Sequence, residues 1–258
     1  MIPRGGSDTI RRKLKTRILA LFAIGIVALG CNGSPTAGNT PPPTDSNGKP
    51  QLTVGVVFDS GGRGDKSFND STYEGIERAV KELGVTPQTV DSKTENDFEE
   101  NLTGLAEKGA KLVFAVGVTQ ASALAVVAPK YPDTTFAIID AEVPGPNIRS
   151  LMFSEEQGSF LAGYLAGLVT KTGKIGFVGG KNIPLIKKFE AGYTSGARLA
   201  NPNIEVLPAK YTESWDDTST GKASALVLFD GGADIVYHAA GRAGLGVIVA
   251  AKDRKQYA

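Results

Sequence analysis

Beyond residue 50, short apolar runs alternate with segments in which apolar residues recur every three or four positions. The run at residues 52–58 is apolar and β-branched, as expected of a strand that is buried on both faces. The spacing that follows predicts a helix from about Asp70 that ends at Gly84. Strands that alternate with helices predict a parallel sheet with helices on both faces, which makes this an α/β protein.

The same alternation forms a first series of elements. After the helix that ends at Gly84, the pattern predicts a helix at 98–106, a strand at 111–116, a helix at 121–128 and a strand at 136–139. The turn-forming residues 144–147 interrupt this series, and residues 148–153 are typical of another strand. We place the exit from the first lobe at this turn, so that the first lobe spans residues 51–147.

A second series occupies residues 148–258 and predicts a second Rossmann-like lobe. Its predicted elements are a long helix from about Glu155, strands at 174–178, 204–207 and 234–238, and helices at 186–199, 221–229 and 244–252. Gly158, Gly163 and Gly167 of the long helix suggest that it packs closely against another helix.

The N-terminal residues have a different pattern. Six basic residues and one acidic residue precede residue 18, and residues 18–30 form an uncharged apolar run. This run is shorter than the roughly 20 residues that span a bilayer, so it predicts a signal peptide over residues 1–30. Residues 28–31 resemble a bacterial lipobox, which would lipidate Cys31; the alternative is an ordinary signal peptide with a chance cysteine. Residues 31–50 are rich in Pro, Gly, Ser and Thr and predict a flexible tether.

The composition excludes several classes of protein. The chain has 258 residues, with 28 Lys and Arg against 27 Asp and Glu, and its formal charge of +1 lacks the strong basic field of a nucleic-acid binder. One Cys and one His exclude an internal disulfide and the zinc or iron–sulfur sites that need several such ligands. We therefore expect a folded protein without a metal or cofactor.

Polar clusters follow the predicted strands, at the positions where open parallel sheets bind ligands. The glycine-rich loop 59–69 brings together an aromatic ring, carboxylates and an amide, and further polar segments follow the strands at 117–120, 140, 213–217 and 238–246. The candidate ligand-binding residues are Asp65, Phe68, Asn69, Thr119, Asp140, Trp215 and Gly241.

Three segments resemble one known family. Gly64-Asp-Lys-Ser-Phe-Asn69, followed by Tyr73-Glu-Gly75, is similar to the signature of the basic membrane protein family, the substrate-binding lipoproteins of ABC transporters that include purine nucleoside receptors. Residues 176–193 and 239–246 resemble its later segments, so the resemblance runs from about Leu52 to the last residue. It implies a type I periplasmic-binding-protein fold with two lobes and a hinge.

The resemblance also implies a function. The lobes would close on a purine nucleoside such as inosine, guanosine or adenosine, and a monomer held by its lipid anchor on the outer face of a bacterial cell membrane would deliver it to an ABC permease. Phe68 and Trp215 would stack on the base, while Asp65, Asn69 and Asp140 would bond base edges or the ribose. The residues also allow structural roles: Phe68 and Trp215 as packing, Asn69 and Asp140 as helix caps.

Two other functions remain open: an enzyme of nucleoside metabolism with the same class of fold, and a surface antigen or adhesin lipoprotein. Sugars or other small metabolites are alternative ligands. The chain lacks a Walker A motif and a Gly-x-Ser-x-Gly motif, the glycine spacing at 241–246 is the reverse of a dinucleotide fingerprint, and we interpret His238 as a strand-end or core residue.

Members of the resembled family continue past the position of Ala258. Their further elements include a strand, an Asp-rich loop that contacts the ligand, and segments that return to the first lobe. We therefore expect a chain truncated in its second lobe and final crossover, with weakened binding and an exposed sheet edge that is prone to aggregate.

Overall fold

The computed structural model of the protein describes residues 51–258. The predicted signal peptide, the lipidation site Cys31 and the tether at 31–50 lie outside the described residues. Within residues 51–258, no helix combines the length and the apolar character needed to cross a bilayer.

The first lobe is built on a five-stranded parallel sheet with the order β2-β1-β3-β4-β5. Its elements are β1 (Thr53–Phe58), α1 (Phe68–Leu83), β2 (Thr86–Asp91), α2 (Phe98–Glu107), β3 (Leu112–Ala115), α3 (Ala121–Val127), β4 (Thr135–Ile139) and β5 (Ile148–Leu151). The chain reverses its direction across the sheet between β1 and β3. Ligands of such sheets bind at this switch point, beyond the carboxyl ends of the strands.

The second lobe is built on a four-stranded parallel sheet around a central strand, β6. Its elements are α4 (Glu155–Val169), β6 (Lys174–Gly179), α5 (Pro184–Ala200), β7 (Glu205–Val206), β8 (Lys210–Tyr211), α6 (Thr218–Asp230), β9 (Ile235–Ala239) and α7 (Gly244–Arg254). The two short strands β7 and β8 pair with opposite ends of β6, and β9 pairs with it along five residues. Tyr257 adds a single parallel bridge to Ile235 on β9.

The predicted boundary between the lobes at residue 147 is wrong by one strand. β5 pairs with β4 in the first sheet, from Ile148 opposite Phe136 to Leu151 opposite Ile139. The turn at 144–147 therefore connects two neighbouring strands, and the chain leaves the first sheet only after Leu151. Two strands were not predicted, β2 and β8: β2 is polar and begins Thr-Pro, and β8 has only two residues.

Both sheets are apolar on both faces, as the sequence predicted. In the first lobe, Val57, Val113 and Phe136 pack with α2 and α3, while Val56 and Phe58 lie in a second cluster with Phe68 of α1. The second lobe likewise has two clusters, one on each side of β6. Burying each large side chain contributes roughly 1.5–3 kcal/mol, so these clusters fix the positions of the strand ends that carry the polar loops.

Helices α4 and α5 contact each other through their backbones. A Cβ atom at Gly163 would overlap the carbonyl oxygen of Tyr193, and one at Gly167 would lie 2.6 Å from the carbonyl oxygen of Ala197. The predicted close packing is thus confirmed for Gly163 and Gly167. It is wrong for Gly158, where a Cβ atom would meet nothing within 4 Å.

Candidate ligand-binding site

A cavity of about 600 Å³ lies between the two lobes, beyond the carboxyl ends of their strands. This volume falls within the roughly 300–1,000 Å³ that is typical of small-molecule sites. All seven candidate residues line the cavity: Asp65, Phe68, Asn69, Thr119 and Asp140 from the first lobe, and Trp215 and Gly241 from the second. The loops that follow the strands in both lobes therefore lie together around one cavity.

Asp65 holds the glycine-rich loop on the N-terminus of α1. Its Oδ1 accepts hydrogen bonds from the backbone N–H groups of Ser67 (2.9 Å) and Asp70 (3.1 Å), and its Oδ2 accepts from the backbone N–H (2.9 Å) and Nδ2 (3.1 Å) of Asn69. The side chain is 1% exposed. A carboxylate has about four acceptor positions, so these donors leave Asp65 little capacity for a ligand, and its role here is to position the loop.

Asn69 is oriented by two carboxylates. Its Nδ2 donates to Oδ1 of Asp59 at 2.9 Å as well as to Asp65, so its Oδ1 faces away from both acids and is buried with no partner among the described residues. Asp59 follows β1 directly and lines the cavity, and burial raises its pKa although Asn69 and Gly61 donate to it. Asn69 therefore offers a free acceptor at the cavity wall.

Each lobe contributes an aromatic side chain to the cavity. Phe68 projects from the first turn of α1, and Trp215 follows β8. The indole of Trp215 occupies the space left by Gly180, where a Cβ atom would overlap the ring. The Nε1 of Trp215 is buried without a hydrogen-bond partner among residues 51–258. Aromatic side chains of both lobes therefore line the cavity, and they also include Phe153, Phe189 and Tyr237.

The loops after β3 and β9 complete the wall. Thr119 lies in a single turn of 3-10 helix after β3, and its Oγ1 is a further buried atom for which the described residues supply no partner. Gly241 has a φ of 53°, and a Cβ atom there would lie 3.2 Å from the carbonyl oxygen of Trp215. This loop therefore fits against Trp215 only with glycine at its tip.

Two carboxylates from different lobes, those of Asp140 and Glu155, line the cavity. Asp140 follows β4 with a φ of 65°, in the left-handed region, and its pKa is raised to about 6 by burial and by the nearby carboxylate of Glu155, against the effect of Lys188. Glu155 lies in the first turn of α4 and is 8% exposed. Glu155 was not predicted to line the cavity, because acidic side chains are common at helix N-termini for electrostatic reasons.

His238 ends β9 and also lines the cavity. Burial lowers the pKa of its imidazole, which keeps it neutral near pH 7, and its Nδ1 has no partner within the described part of the chain. The sequence interpretation of a strand-end residue is correct, but it did not include the cavity. Residues 51–258 hold no group of three or more His, Cys, Asp or Glu side chains that could bind a metal ion.

Hydrogen bonds join the two lobes beside the cavity. Arg242 donates from Nε to the carbonyl oxygen of Gly61 at 2.9 Å and from Nη2 to that of Arg63 at 2.7 Å. Lys181 of the second lobe forms an ion pair of 2.7 Å with Glu95 of the first. Two donors of the Arg242 guanidinium are thereby used to join the second lobe to the first.

The described residues match a known protein family over almost their whole length. Residues 52–258 match the family Bmp, described as "ABC transporter substrate-binding protein PnrA-like". The ABC transporter nucleoside-binding protein BmpA of Lactococcus lactis subsp. cremoris is 32% identical over 248 residues, which cover 93% of this chain and 69% of that protein. An uncharacterized lipoprotein of Pyrococcus horikoshii is 37% identical over 254 residues, covering 95% of this chain and 61% of that protein.

A solved structure shows the same fold. The solute-binding protein of an ABC transporter system from Aeropyrum pernix K1 has a TM-score of 0.73 and 32% identity, and the match covers 79% of this chain and 59% of that one. The chain therefore spans about three fifths of that structure, and the predicted two-lobed, type I periplasmic-binding-protein fold is confirmed. From its motifs, its fold and these matches, the chain belongs to the Bmp family of PnrA-like ABC transporter substrate-binding proteins.

Proposed function

We propose that this protein captures a purine nucleoside between its two lobes and delivers it to an ABC permease. The observation that carries the proposal is a cavity of about 600 Å³ with an aromatic side chain from each lobe and several buried polar atoms without partners. A nucleoside combines a planar base with a polar sugar, so it matches both features of the wall.

The aromatic side chains fit the base. Stacking of a base on an aromatic side chain is worth about 1–3 kcal/mol, and Phe68 and Trp215 provide such surfaces from opposite lobes. Asn69 Oδ1 offers an acceptor and Trp215 Nε1 a donor, which suit the mixed edge of a purine. A base that contacts both lobes would favour their closure, which is how two-lobed binding proteins retain a ligand.

The charges of the cavity favour a nucleoside over a nucleotide. Asp59, Asp140 and Glu155 line it, and the one arginine in the wall, Arg242, donates to backbone carbonyl groups of the first lobe. A phosphate would bring its negative charge close to these carboxylates, which outnumber the single cationic side chain of the wall. The acids are instead suited to accept hydrogen bonds from hydroxyl groups.

The site of action follows from the sequence and from the relatives. We infer that Cys31 is lipidated and holds the binding lobes at the outer face of the cell membrane, close to the permease; the relative from Pyrococcus horikoshii is named a lipoprotein. The relative from Lactococcus lactis is named as a nucleoside-binding protein rather than an enzyme. We propose that this protein likewise releases its ligand unchanged.

Isothermal titration calorimetry with inosine, guanosine, adenosine, uridine, ribose and guanosine monophosphate tests the proposal. We expect the purine nucleosides to bind most tightly, and Phe68→Leu, which keeps the apolar packing of α1, to weaken them about 5- to 100-fold through lost stacking. Phe160→Leu, on α4 and outside the cavity, is the matched control. Absence of binding by every purine nucleoside, or release of free base from inosine on chromatography, would refute the proposal.

A further inference from the structure

Glu155 is a buried carboxylate with one oxygen free. It lines the cavity, is 8% exposed, and its Oε2 accepts a hydrogen bond from Nζ of Lys188 on α5 at 3.4 Å. Its Oε1 is buried and has no hydrogen-bond partner among the described residues. The position of Glu155 in the first turn of α4 stabilises its negative charge, but leaves this second oxygen unsatisfied.

A buried acceptor without a donor is costly, and such atoms in folded proteins commonly mark a missing partner. Lys188 lies on the Oε2 side of the carboxylate, and no described residue donates to Oε1. Since Glu155 lines the cavity, a ligand bound there is placed to supply the donor.

Asp140 lines the same cavity from the other lobe. It is near enough for the charge of Glu155 to act on its carboxyl group. Two carboxylates that line one cavity from opposite lobes can each present an acceptor to the same ligand. The complementary group on an uncharged ligand is a pair of neighbouring hydroxyl groups, each of which donates one hydrogen bond.

We propose that Glu155 is a second ligand-binding carboxylate, which accepts a hydrogen bond on Oε1 from one of the two vicinal hydroxyl groups of the ligand's sugar while Asp140 accepts from the other. This inference rests on the proposed function, since it assigns the sugar end of the same cavity. Lys188 is a positioning residue, which holds Oε2 so that Oε1 faces the ligand.

The first test compares inosine with 2′-deoxyinosine and 3′-deoxyinosine by calorimetry, on the wild-type chain, Glu155→Gln and the control Glu156→Gln. Glu156 is the exposed neighbour of Glu155 on α4. In Glu155→Gln, Lys188 retains the amide oxygen and turns the NH₂ group, a donor, towards the cavity. In wild type and in Glu156→Gln, we expect one deoxy analogue to bind at least about tenfold more weakly than inosine. In Glu155→Gln, the affinity of the same analogue should be less than about threefold weaker than that of inosine.

The second test is the pH dependence of inosine affinity. The charged groups that face Asp140 are Glu155 on α4 and Lys188 on α5, and the neutral His238 lines the same cavity. Hydroxyl donors favour ionised Asp140, so wild-type affinity should fall as the pH decreases through about 6, the raised pKa of Asp140. Without the charge of Glu155 that pKa is lower, and Glu155→Gln should therefore lose affinity only at a lower pH.

The outcomes separate the two proposals. If inosine binds but the deoxy ratio is the same in wild type and Glu155→Gln, or if the two share one pH profile, Glu155 has only a structural role and this inference is overturned. If no purine nucleoside binds the wild-type chain, the proposed function itself fails, and the assignment of the sugar end fails with it.

Discussion

Gly→Ala substitutions at Gly158 and Gly163 of α4 should change the stability of the folded protein in opposite directions. At Gly163 the new Cβ atom overlaps the carbonyl oxygen of Tyr193 on α5, whereas at Gly158 it meets nothing within 4 Å. Both residues are in the interior of the same helix, so the intrinsic gain from Gly to Ala, about 1 kcal/mol, is common to both. Only the contact with α5 distinguishes them.

The size of the difference follows from that contact. Inserting a methylene group into a well-packed interface typically costs about 1–3 kcal/mol, and here the obstacle is backbone, which cannot rotate away as a side chain can. We expect Gly158→Ala to stabilise the chain by about 0.5–1 kcal/mol. At Gly163 the overlap with backbone places the cost in the upper part of that range, so after the common gain is subtracted Gly163→Ala should destabilise the chain by about 1–2 kcal/mol. For a folded body of this size, each kcal/mol shifts the melting temperature by about 2–4 °C.

Urea and thermal unfolding, followed by far-ultraviolet circular dichroism, measure both variants against wild type. The ordering Gly158→Ala above wild type above Gly163→Ala is the expected result. If Gly163→Ala is as stable as Gly158→Ala, the two helices are not in backbone contact and the arrangement of α4 and α5 described above is incorrect.

Two further predictions concern the junction of the lobes and the response to acid. Arg242→Gln removes the hydrogen bonds to the carbonyl groups of the first lobe, so small-angle X-ray scattering of the unliganded variant should show a larger radius of gyration than wild type. Arg254→Gln on α7, the control, should leave the radius of gyration unchanged. Equal radii for wild type and Arg242→Gln would contradict a role for Arg242 in holding the lobes together. Asp234 is 4% exposed, and burial alone would raise its pKa, but hydrogen bonds donated by Thr170 and the backbone at 171–172 outweigh burial and lower it. A carboxyl group with a lowered pKa stabilises the fold at pH values above the ordinary aspartate pKa of about 4, and this stabilisation is lost as the pH falls below that value. Asp234→Ala should therefore lower the urea midpoint at pH 7 and make the midpoint decline less steeply below about pH 4. An unchanged decline would show that other groups control acid unfolding.

The sequence predicted most of the fold because its strands are buried on both faces. Strands such as 52–58 and 174–178 have continuous apolar runs, and the helices between them repeat at helical spacing, so element type and order were readable. β2 was not predicted because an edge strand needs little burial, and its residues are polar or at most half-buried. The lobe boundary was misplaced because a turn between two strands of one sheet has the same composition as a turn between lobes.

The site was predicted at the level of loops and less well at the level of atoms. The cavity lining includes Phe68, Asn69 and Trp215, as predicted, because they follow strands at the ligand-binding edge of the sheets. The carboxylate of Asp65 accepts hydrogen bonds from the backbone of its own loop. These bonds depend on the conformation of the loop, which the spacing of residues in the sequence does not predict. The glycines of α4 predicted close packing against another helix but did not identify that helix as α5, so the sequence did not indicate that Glu155 lines the cavity.

The backbone at Asp140 limits which residues this lineage can use there. A φ of 65° is adopted readily by glycine, asparagine and aspartate but is costly for other residues. Mutation at this position therefore offers an acid, an amide or no side chain at all, whereas Phe68 or Glu155 can be exchanged for many residues without opposing the backbone. A change in ligand preference should consequently arise at those positions first, with residue 140 as the most restricted point of the cavity.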